Sequence, residues 1–116
     1  MTFMYKMVFV VNKSLKMSSG KIASQTAHAA VSLYIKGIKS SKSSEINAWL
    51  MLGQPKIVLK ADNLLEIQTK AISSDILSVV VHDAGHTQVQ AGSLTCLALF
   101  GATSQLDTIT GSLPLL

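Results

Sequence analysis

Two short polar segments contain the residue types that could bind an anion or catalyse a hydrolysis. The first is residues 17–21 (MSSGK), which lead into an alanine-rich stretch with helical spacing. Free N–H groups and the dipole at a helix N-terminus favour an anion there. Lys21 adds a cation where a helix disfavours one, which indicates a binding role, with a solvated lysine after an ordinary serine cap as the alternative. A P-loop is excluded because its first glycine is missing and Ile22 follows the lysine where Ser or Thr is required.

The second segment is residues 83–88 (DAGHTQ). Asp83 directly follows an apolar run, whereas the other five acids lie in predicted helices or their connectors. A carboxylate at a strand end can orient a water molecule or accept its proton. Thr87, and Thr95 at the start of the next apolar run, could hold that water or a substrate oxygen. The alternative interpretation of Asp83 is a turn that its side chain caps.

Several other chemistries fit this sequence poorly. His82 and Asp83 are neighbours on a strand, so their side chains point to opposite faces and are poor partners for one metal ion. No further Cys or His pair would complete a zinc site. We therefore expect neither metal nor cofactor. A G-x-S-x-G elbow and a second strand-end acid are both missing, which argues against common serine hydrolases and two-acid glycosidases. His28 is interpreted as a hydrogen-bonded core histidine in preference to a catalytic group, and Cys96 as a packing residue.

The predicted elements follow the order β-α-α-β-α-β-β-α. Apolar, β-branched runs predict strands at residues 7–11, 56–60, 77–81 and 94–100, and helical patterns cover residues 21–37, 45–52, 64–73 and 103–110. This order predicts an α/β fold with a small mixed, mostly parallel four-stranded sheet and helices on both faces, in three α/β/α layers. The third and fourth strands have no helix between them, so their connection is a candidate for antiparallel pairing. If the first and third strands are parallel, Lys21 and Asp83 face one pocket, with neither side chain expected in the core.

Composition narrows the class of protein. The 116 residues suit one domain, covering 1–116, and the net charge of +4 comes from ten lysines without arginine. Such a charge suits a polyanionic partner as well as it suits solubility. One cysteine excludes a disulfide framework, and we expect no secretory leader, no membrane association and a cytoplasmic location.

Together the motifs resemble the signature of the peptidyl-tRNA hydrolase 2 family. Residues 15–30 resemble its L-K-M-x-x-G-K-x-A-x-Q-x-x-H-A-A block, Trp49 with residues 53–56 resembles its second block, and residues 83–95 resemble D-A-G-x-T-Q followed by G-x-x-T. The resemblance implies metal-independent hydrolysis of the ester between a peptide and the 3′ end of tRNA, by an enzyme that is often a homodimer. By this resemblance the catalytic residues are Lys21, Asp83, Thr87 and Thr95, and the residues that bind substrate or tRNA are Lys16, Ser19, Gly20, Gln25, His28, Lys56 and His86.

The sequence departs from the family pattern at three positions. Ser19 replaces a basic residue, His86 replaces the arginine of D-A-G-R-T-Q, and Ala102 replaces a proline. The first two changes remove positive charge near the predicted site and bear on tRNA affinity more than on chemistry. Two rival functions remain from the sequence: a catalytically weak tRNA or RNA binder, and a protein-interaction module.

Overall fold

A four-stranded mixed sheet forms the centre of the molecule, for which a computed structural model describes residues 4–85 and 90–116. Its strands are β1 (Tyr5–Asn12), β2 (Lys56–Ala61), β3 (Leu77–His82) and β4 (Leu94–Ala102). The strand order is β2-β1-β4-β3. β1 is parallel to β2, and β4 is antiparallel to both β1 and β3. Three strands therefore run in one direction, as predicted, and the helix-free connection between β3 and β4 is antiparallel.

Helices cover both faces of this sheet. They are α1 (Ser19–Ile38), α2 (Ser43–Met51), α3 (Leu64–Ser73) and α4 (Thr103–Thr110), with a 3-10 turn at Lys13–Leu15. α1 and α2 pack on one face, and α3 and α4 pack on the other. The predicted three-layer α/β/α arrangement is confirmed. Within the described ranges no helix combines the length and apolar character that crossing a membrane requires.

The alternating side chains of the central strands build the two cores. In β1, Met7 and Phe9 point to the layer of α1 and α2, whereas Val8 and Val10 point to the layer of α3 and α4, and all four are fully buried. A strand buried on both faces has to be continuously apolar, which is the pattern that predicted β1. Burial on both sides fixes its register, and with it the position at which β1 ends.

The boundaries of α1 differ from the prediction at both ends. The helix begins at Ser19, two residues early, because the Ser18 side chain accepts a hydrogen bond of 3.3 Å from the N–H of Lys21. Gly37, predicted to stop the helix, lies inside it. A Cβ atom at Gly37 would come within 2.6 Å of the Ile46 side chain, so this glycine permits close packing of α1 against α2.

The predicted start of α3 is confirmed by its cap. Asn63 Oδ1 accepts from the N–H of Glu66 at 3.2 Å, and Asn63 Nδ2 donates to Glu66 Oε2 at 2.9 Å. This reciprocal pair is the arrangement that the spacing of the two residues predicts.

The two edge strands of the sheet differ in their surroundings. The C-terminal segment runs along β2, where the Lys60 N–H donates to Pro114 O and the Leu116 N–H donates to Val58 O, each at 3.1 Å. This pairing occupies backbone groups of β2 that would otherwise face solvent. The opposite edge is β3, which lies beside the outer flank of α1.

Candidate active site

The ends of three strands and the start of α1 meet at one edge of the sheet. β1 ends at Asn12, and β3 ends just before Asp83. β4 runs in the opposite direction, so its second residue, Thr95, lies at the same edge. The chain leaves β1 through a short loop and enters α1, whose first turn contains Lys21. The mixed topology thus brings together residues from distant parts of the chain, as predicted for the case that the first and third strands run in the same direction.

Lys21 and Asp83 form a buried ion pair at this edge. Lys21 Nζ donates to Asp83 Oδ1, across 62 positions of sequence. The Lys21 side chain is 10% exposed and that of Asp83 is 0% exposed. The prediction that the two head groups meet at one place is confirmed, whereas the expectation that neither lies in the core is wrong for Asp83, which is buried. Asp83 is drawn inward because its N–H donates to Ser93 O and its C=O accepts from Gly92 N, both at 2.8 Å, which continues the β3–β4 ladder.

A second polar contact fastens α1 to the sheet next to the ion pair. The Thr95 hydroxyl lies 2.6 Å from Gln25 Oε1 and 3.0 Å from the carbonyl oxygen of Val81, two acceptors for one hydroxyl proton. Thr95 is fully buried. Gln25 is one helical turn beyond Lys21, on the same side of α1. The contact therefore fixes the rotation of the helix that places the Lys21 ammonium against Asp83.

Asn12 is a site residue that the sequence reasoning missed. Its Nδ2 donates to Leu94 O at 2.9 Å, and its Oδ1 accepts from Ser14 N at 3.2 Å and from Ser14 Oγ at 2.6 Å. The side chain ties the loop after β1 to the start of β4. An asparagine that closes an apolar strand and precedes a Ser two residues on is a turn signal that could have found it.

The loop between β1 and α1 presents polar groups at the helix N-terminus. Lys16 is exposed and has a left-handed backbone, with φ of 50°, because it closes the 3-10 turn. Ser19 and Gly20 are exposed in the first helical turn, and a Cβ atom at Gly20 would meet open space. The first turn contains no acidic residue, so the positive end of the helix dipole remains available to an anion.

Two predicted binding residues lie away from this edge. His28 is exposed on α1, so its interpretation as a core histidine is wrong. Lys56 lies at the start of β2, at the end of the strands remote from Lys21 and Asp83. Its ammonium is 5.4 Å from the centre of the Trp49 ring. His86 and Thr87 fall outside the described residues.

The remaining potential nucleophiles and ligands do not add to the site. Burial raises the pKa of the Cys96 thiol to about 12, only partly opposed by a hydrogen bond with Thr26, so this thiol stays protonated and unreactive. His82 is exposed while Asp83 is buried, in agreement with the predicted opposite directions. Among residues 4–85 and 90–116, no three His, Cys, Asp or Glu side chains are grouped as a metal ion would require.

Known proteins resemble this chain over nearly its whole length. Residues 5–116 match the family described as peptidyl-tRNA hydrolase PTH2. Proteins named peptidyl-tRNA hydrolase from Saccharolobus islandicus and Saccharolobus solfataricus are 45% and 43% identical to it, each over 97% of this chain and 100% of the relative. The corresponding protein of Sulfolobus acidocaldarius is 43% identical over 96% of this chain and 99% of its own length.

A solved structure shares the fold with little sequence similarity. A protein of unknown function from Agrobacterium tumefaciens superimposes with a TM-score of 0.67 at 15% identity, covering 98% of both chains. This likeness concerns the fold alone. The family match and the full-length relatives, together with the ion pair formed within the matched region, show that the chain belongs to the peptidyl-tRNA hydrolase 2 family.

Proposed function

We infer that this protein is a peptidyl-tRNA hydrolase, which cleaves the ester between a peptide, or an N-blocked amino acid, and the 3′ ribose of tRNA. The observation that carries the inference is the buried Lys21–Asp83 pair at the edge of the sheet, in a chain 43–45% identical to proteins with this name. The reaction adds water across the ester, so the peptide leaves as a carboxylic acid and the 3′ oxygen of the ribose takes up a proton. tRNA is returned for a further round of translation.

We propose that Lys21 and Asp83 divide the chemistry between them. A water held by Asp83 attacks the ester carbonyl, and the Lys21 ammonium stabilises the negative charge that develops on the carbonyl oxygen. In the arrangement described, Asp83 has no exposed surface and Lys21 retains 10%. A shift of the ammonium towards the ester would therefore also open a path for water to Asp83. Thr87, in the same motif, is proposed to share in holding that water.

Thr95 and Gln25 are proposed to position the pair instead of contacting the ester. The Thr95 hydroxyl is buried against Gln25 and Val81, which keeps it from reaching a substrate atom. The exposed groups at the start of α1, Ser19 and Gly20, together with Lys16, are proposed to contact the terminal phosphate of the RNA.

The test of the function is hydrolysis of N-acetylated aminoacyl-tRNA, followed by the release of the acetylated amino acid. We expect turnover by the wild-type protein, little turnover of unblocked aminoacyl-tRNA, and a loss of at least about a hundredfold for Asp83→Asn. The matched control is Asp107→Asn, which alters an exposed ion pair with Lys6 and should leave turnover unchanged. If the wild-type protein binds tRNA without cleaving the ester, it is an RNA binder; if it does neither, the interaction-module alternative gains.

We further propose that the protein acts as a homodimer in the cytoplasm. On its solvent-facing side α1 exposes Val31 and Ile35, which are 61% and 44% exposed, and α2, packed beside it, exposes Met51, which is 84% exposed. A groove of about 840 Å³ with apolar walls runs along the same side of the helix, between α1 and β2. A second copy would remove these side chains from water.

The dimer is tested by the mass in solution. Val31→Asp should halve the mass that light scattering measures during gel filtration, because a charge on this face opposes its burial. Leu65→Asp changes an apolar residue of α3, 59% exposed in the opposite layer, and should leave the mass unchanged. A wild-type protein with the mass of one chain at micromolar concentration would contradict the proposal.

A further inference from the structure

The positive charge of this chain is concentrated in its first 44 residues. Residues 1–44 contain seven of the ten lysines and no Asp or Glu, whereas residues 45–116 contain three lysines and all six acids. The formal charges of the two parts are therefore +7 and −3, which add up to the net +4. The basic part includes β1, the loop after it and the whole of α1. Four of the seven lysines pair with acids of the second part; the three for which the described residues show no ion pair are Lys16, Lys36 and Lys39, and the last two lie at the C-terminal end of α1.

One side of α1 is polar throughout its length. Its residues recur at intervals of three and four, which places them in one row along the helix: Lys21, Gln25, His28, Ser32, Lys36 and Lys39. We call this row the polar stripe; Lys39 is the residue at which the helix ends. A second row, at intervals of four, contains Ala23, Ala27, Val31 and Ile35, which are all exposed and apolar. The surface of a single helix therefore has a polar row and an apolar row.

The polar stripe is fixed along the edge strand β3. At one end Lys21 contacts Asp83, which follows β3, and in the second half of the helix Lys36 Nζ donates to the carbonyl of Ser78 at 2.7 Å. Lys36, Lys39 and His28 are exposed. At a rise of 1.5 Å per residue, Lys39 lies about 27 Å from Lys21 along the helix. The stripe thus begins at the largely buried ion pair, passes partly buried Gln25 and Ser32, and is exposed at His28 and at the two lysines of its far end.

Among the described residues, no carboxylate neutralises the exposed lysines at the far end of the stripe. Lys36 contacts a neutral carbonyl, and no carboxylate lies within an ion-pair distance of Lys36 or Lys39. The next lysine, Lys42, pairs with Asp75 at 3.7 Å and marks the boundary of the basic surface. The charges at 36 and 39 are therefore available to an external partner.

We propose that the polar stripe is the docking surface for the duplex stem of the substrate RNA, with its backbone phosphates against Lys36 and Lys39 and its 3′ end at Lys21. This proposal rests on the proposed function, which places the ester at Lys21 and Asp83. A duplex fits better than a single strand because the stripe has no Phe, Tyr or Trp on which unpaired bases would stack. Duplex RNA is bound through its shape, its phosphates and its 2′-hydroxyl groups, which lysines and small polar side chains can contact. The stem would thereby hold the 3′ end in register with the ion pair.

The proposal is tested by the salt dependence of binding to uncharged tRNA, measured by fluorescence anisotropy. Each duplex phosphate contact adds about −0.9 to the slope of log K against log salt. Lys39→Gln should therefore reduce the steepness by about 0.9, and Lys36→Gln/Lys39→Gln by about 1.8. The ratio of the variant Kd to the wild-type Kd should fall about 3.5-fold between 50 and 200 mM salt for the single variant and about twelvefold for the double. The control is Lys70→Gln on α3, which removes an exposed charge from the opposite layer and should leave the slope unchanged.

A gain of charge and a shortened substrate complete the experiment. Ser32→Lys adds a cation within the stripe and should steepen the slope. A short 3′-terminal oligonucleotide carrying the N-acetylaminoacyl ester has no stem, so Lys36→Gln/Lys39→Gln should hydrolyse it with wild-type KM while its KM for full-length substrate rises. If Lys39→Gln behaves as Lys70→Gln does while the wild-type protein cleaves both substrates, the docking surface is wrong and the proposed function stands. A wild-type protein that cleaves neither substrate would instead contradict the proposed function.

Discussion

Replacing Lys21 with methionine separates the contribution of its charge from that of its length. Methionine retains an unbranched apolar chain and removes the ammonium that contacts Asp83. The Asp83 side chain is 0% exposed, so its carboxylate loses its ammonium partner in a place that water does not reach. Breaking a buried pair in this way costs about 3–5 kcal/mol of unfolding free energy. We expect Lys21→Met to lie near the upper end of that range.

The reciprocal change should destabilise less, for a geometric reason. Asp83→Asn leaves the Lys21 ammonium, whose side chain is 10% exposed and can turn towards solvent. We therefore expect a cost near or below the lower end of the same range, about 3 kcal/mol. In Lys21→Met/Asp83→Asn no isolated charge remains, and part of the stability should return. The measurement is urea unfolding followed by circular dichroism.

The losses of turnover in the single variants should not multiply in the double variant. Lys21→Ala or Lys21→Met, and Asp83→Asn, each should lower the rate of ester cleavage by about a hundredfold or more. The double variant should be little slower than either single variant, because the groups act as one unit. Single-turnover hydrolysis of N-acetylaminoacyl-tRNA at saturating enzyme gives the rate of the chemical step.

Lys13→Met is the matched control for stability. Lys13 pairs with Asp62 at 3.7 Å, and both side chains are about half exposed or more, at 48% and 66%. An exposed pair of this kind contributes at most about 1 kcal/mol. If Lys21→Met costs no more than Lys13→Met, the Lys21–Asp83 pair is effectively solvated and its burial does not contribute to the cost. Losses of turnover that multiply in the double variant would show that the two groups act independently.

Three further predictions concern the cofactor, the positioning contact and the thiol. Hydrolysis should survive dialysis against a chelator, with magnesium supplied only to fold the tRNA; a loss of activity that a divalent ion restores after this control would refute the metal-free reaction. Thr95→Ser should retain turnover within a few-fold, whereas Thr95→Val, which loses the contact with Gln25, should lower it roughly tenfold with little change in KM; equal losses in both variants would instead indicate a packing role. The native Cys96 thiol, with its pKa raised from 9.0 to about 12, should resist alkylation, and rapid alkylation of the folded protein would contradict its burial. Between pH 9 and 12 the thiol stays protonated in the folded state only. Its contribution to stability should therefore be present below pH 9 and lost as the pH rises from 9 to 12.

Local patterns in the sequence were sufficient to predict the helices and strands and to select the candidate site residues. Continuous apolar runs predicted the two central strands, β1 and β4, because a strand covered on both faces has no polar side to display. The Asn63 cap was predictable because its hydrogen bonds join residues three positions apart. Lys21 and Asp83 were selected from the sequence as candidate site residues because each departs from what its local structure favours or requires, and their catalytic role stays a prediction.

Tertiary structure alone decided how deeply the site is buried and which groups support it. Lys21 follows a polar loop at the start of a helix and Asp83 follows a strand, so both looked exposed in the sequence. The ladder from Asp83 to Ser93 and the packing of α1 against β3 and β4 bury the pair, and these are contacts between segments that lie far apart in the chain or are joined by a loop. The roles of Asn12 and Gln25 depend on the same long-range geometry, since their partners Leu94 and Thr95 are 82 and 70 positions away. Sequence periodicity reports which face of an element is apolar, whereas the depth of a polar group depends on what the other elements place over that face.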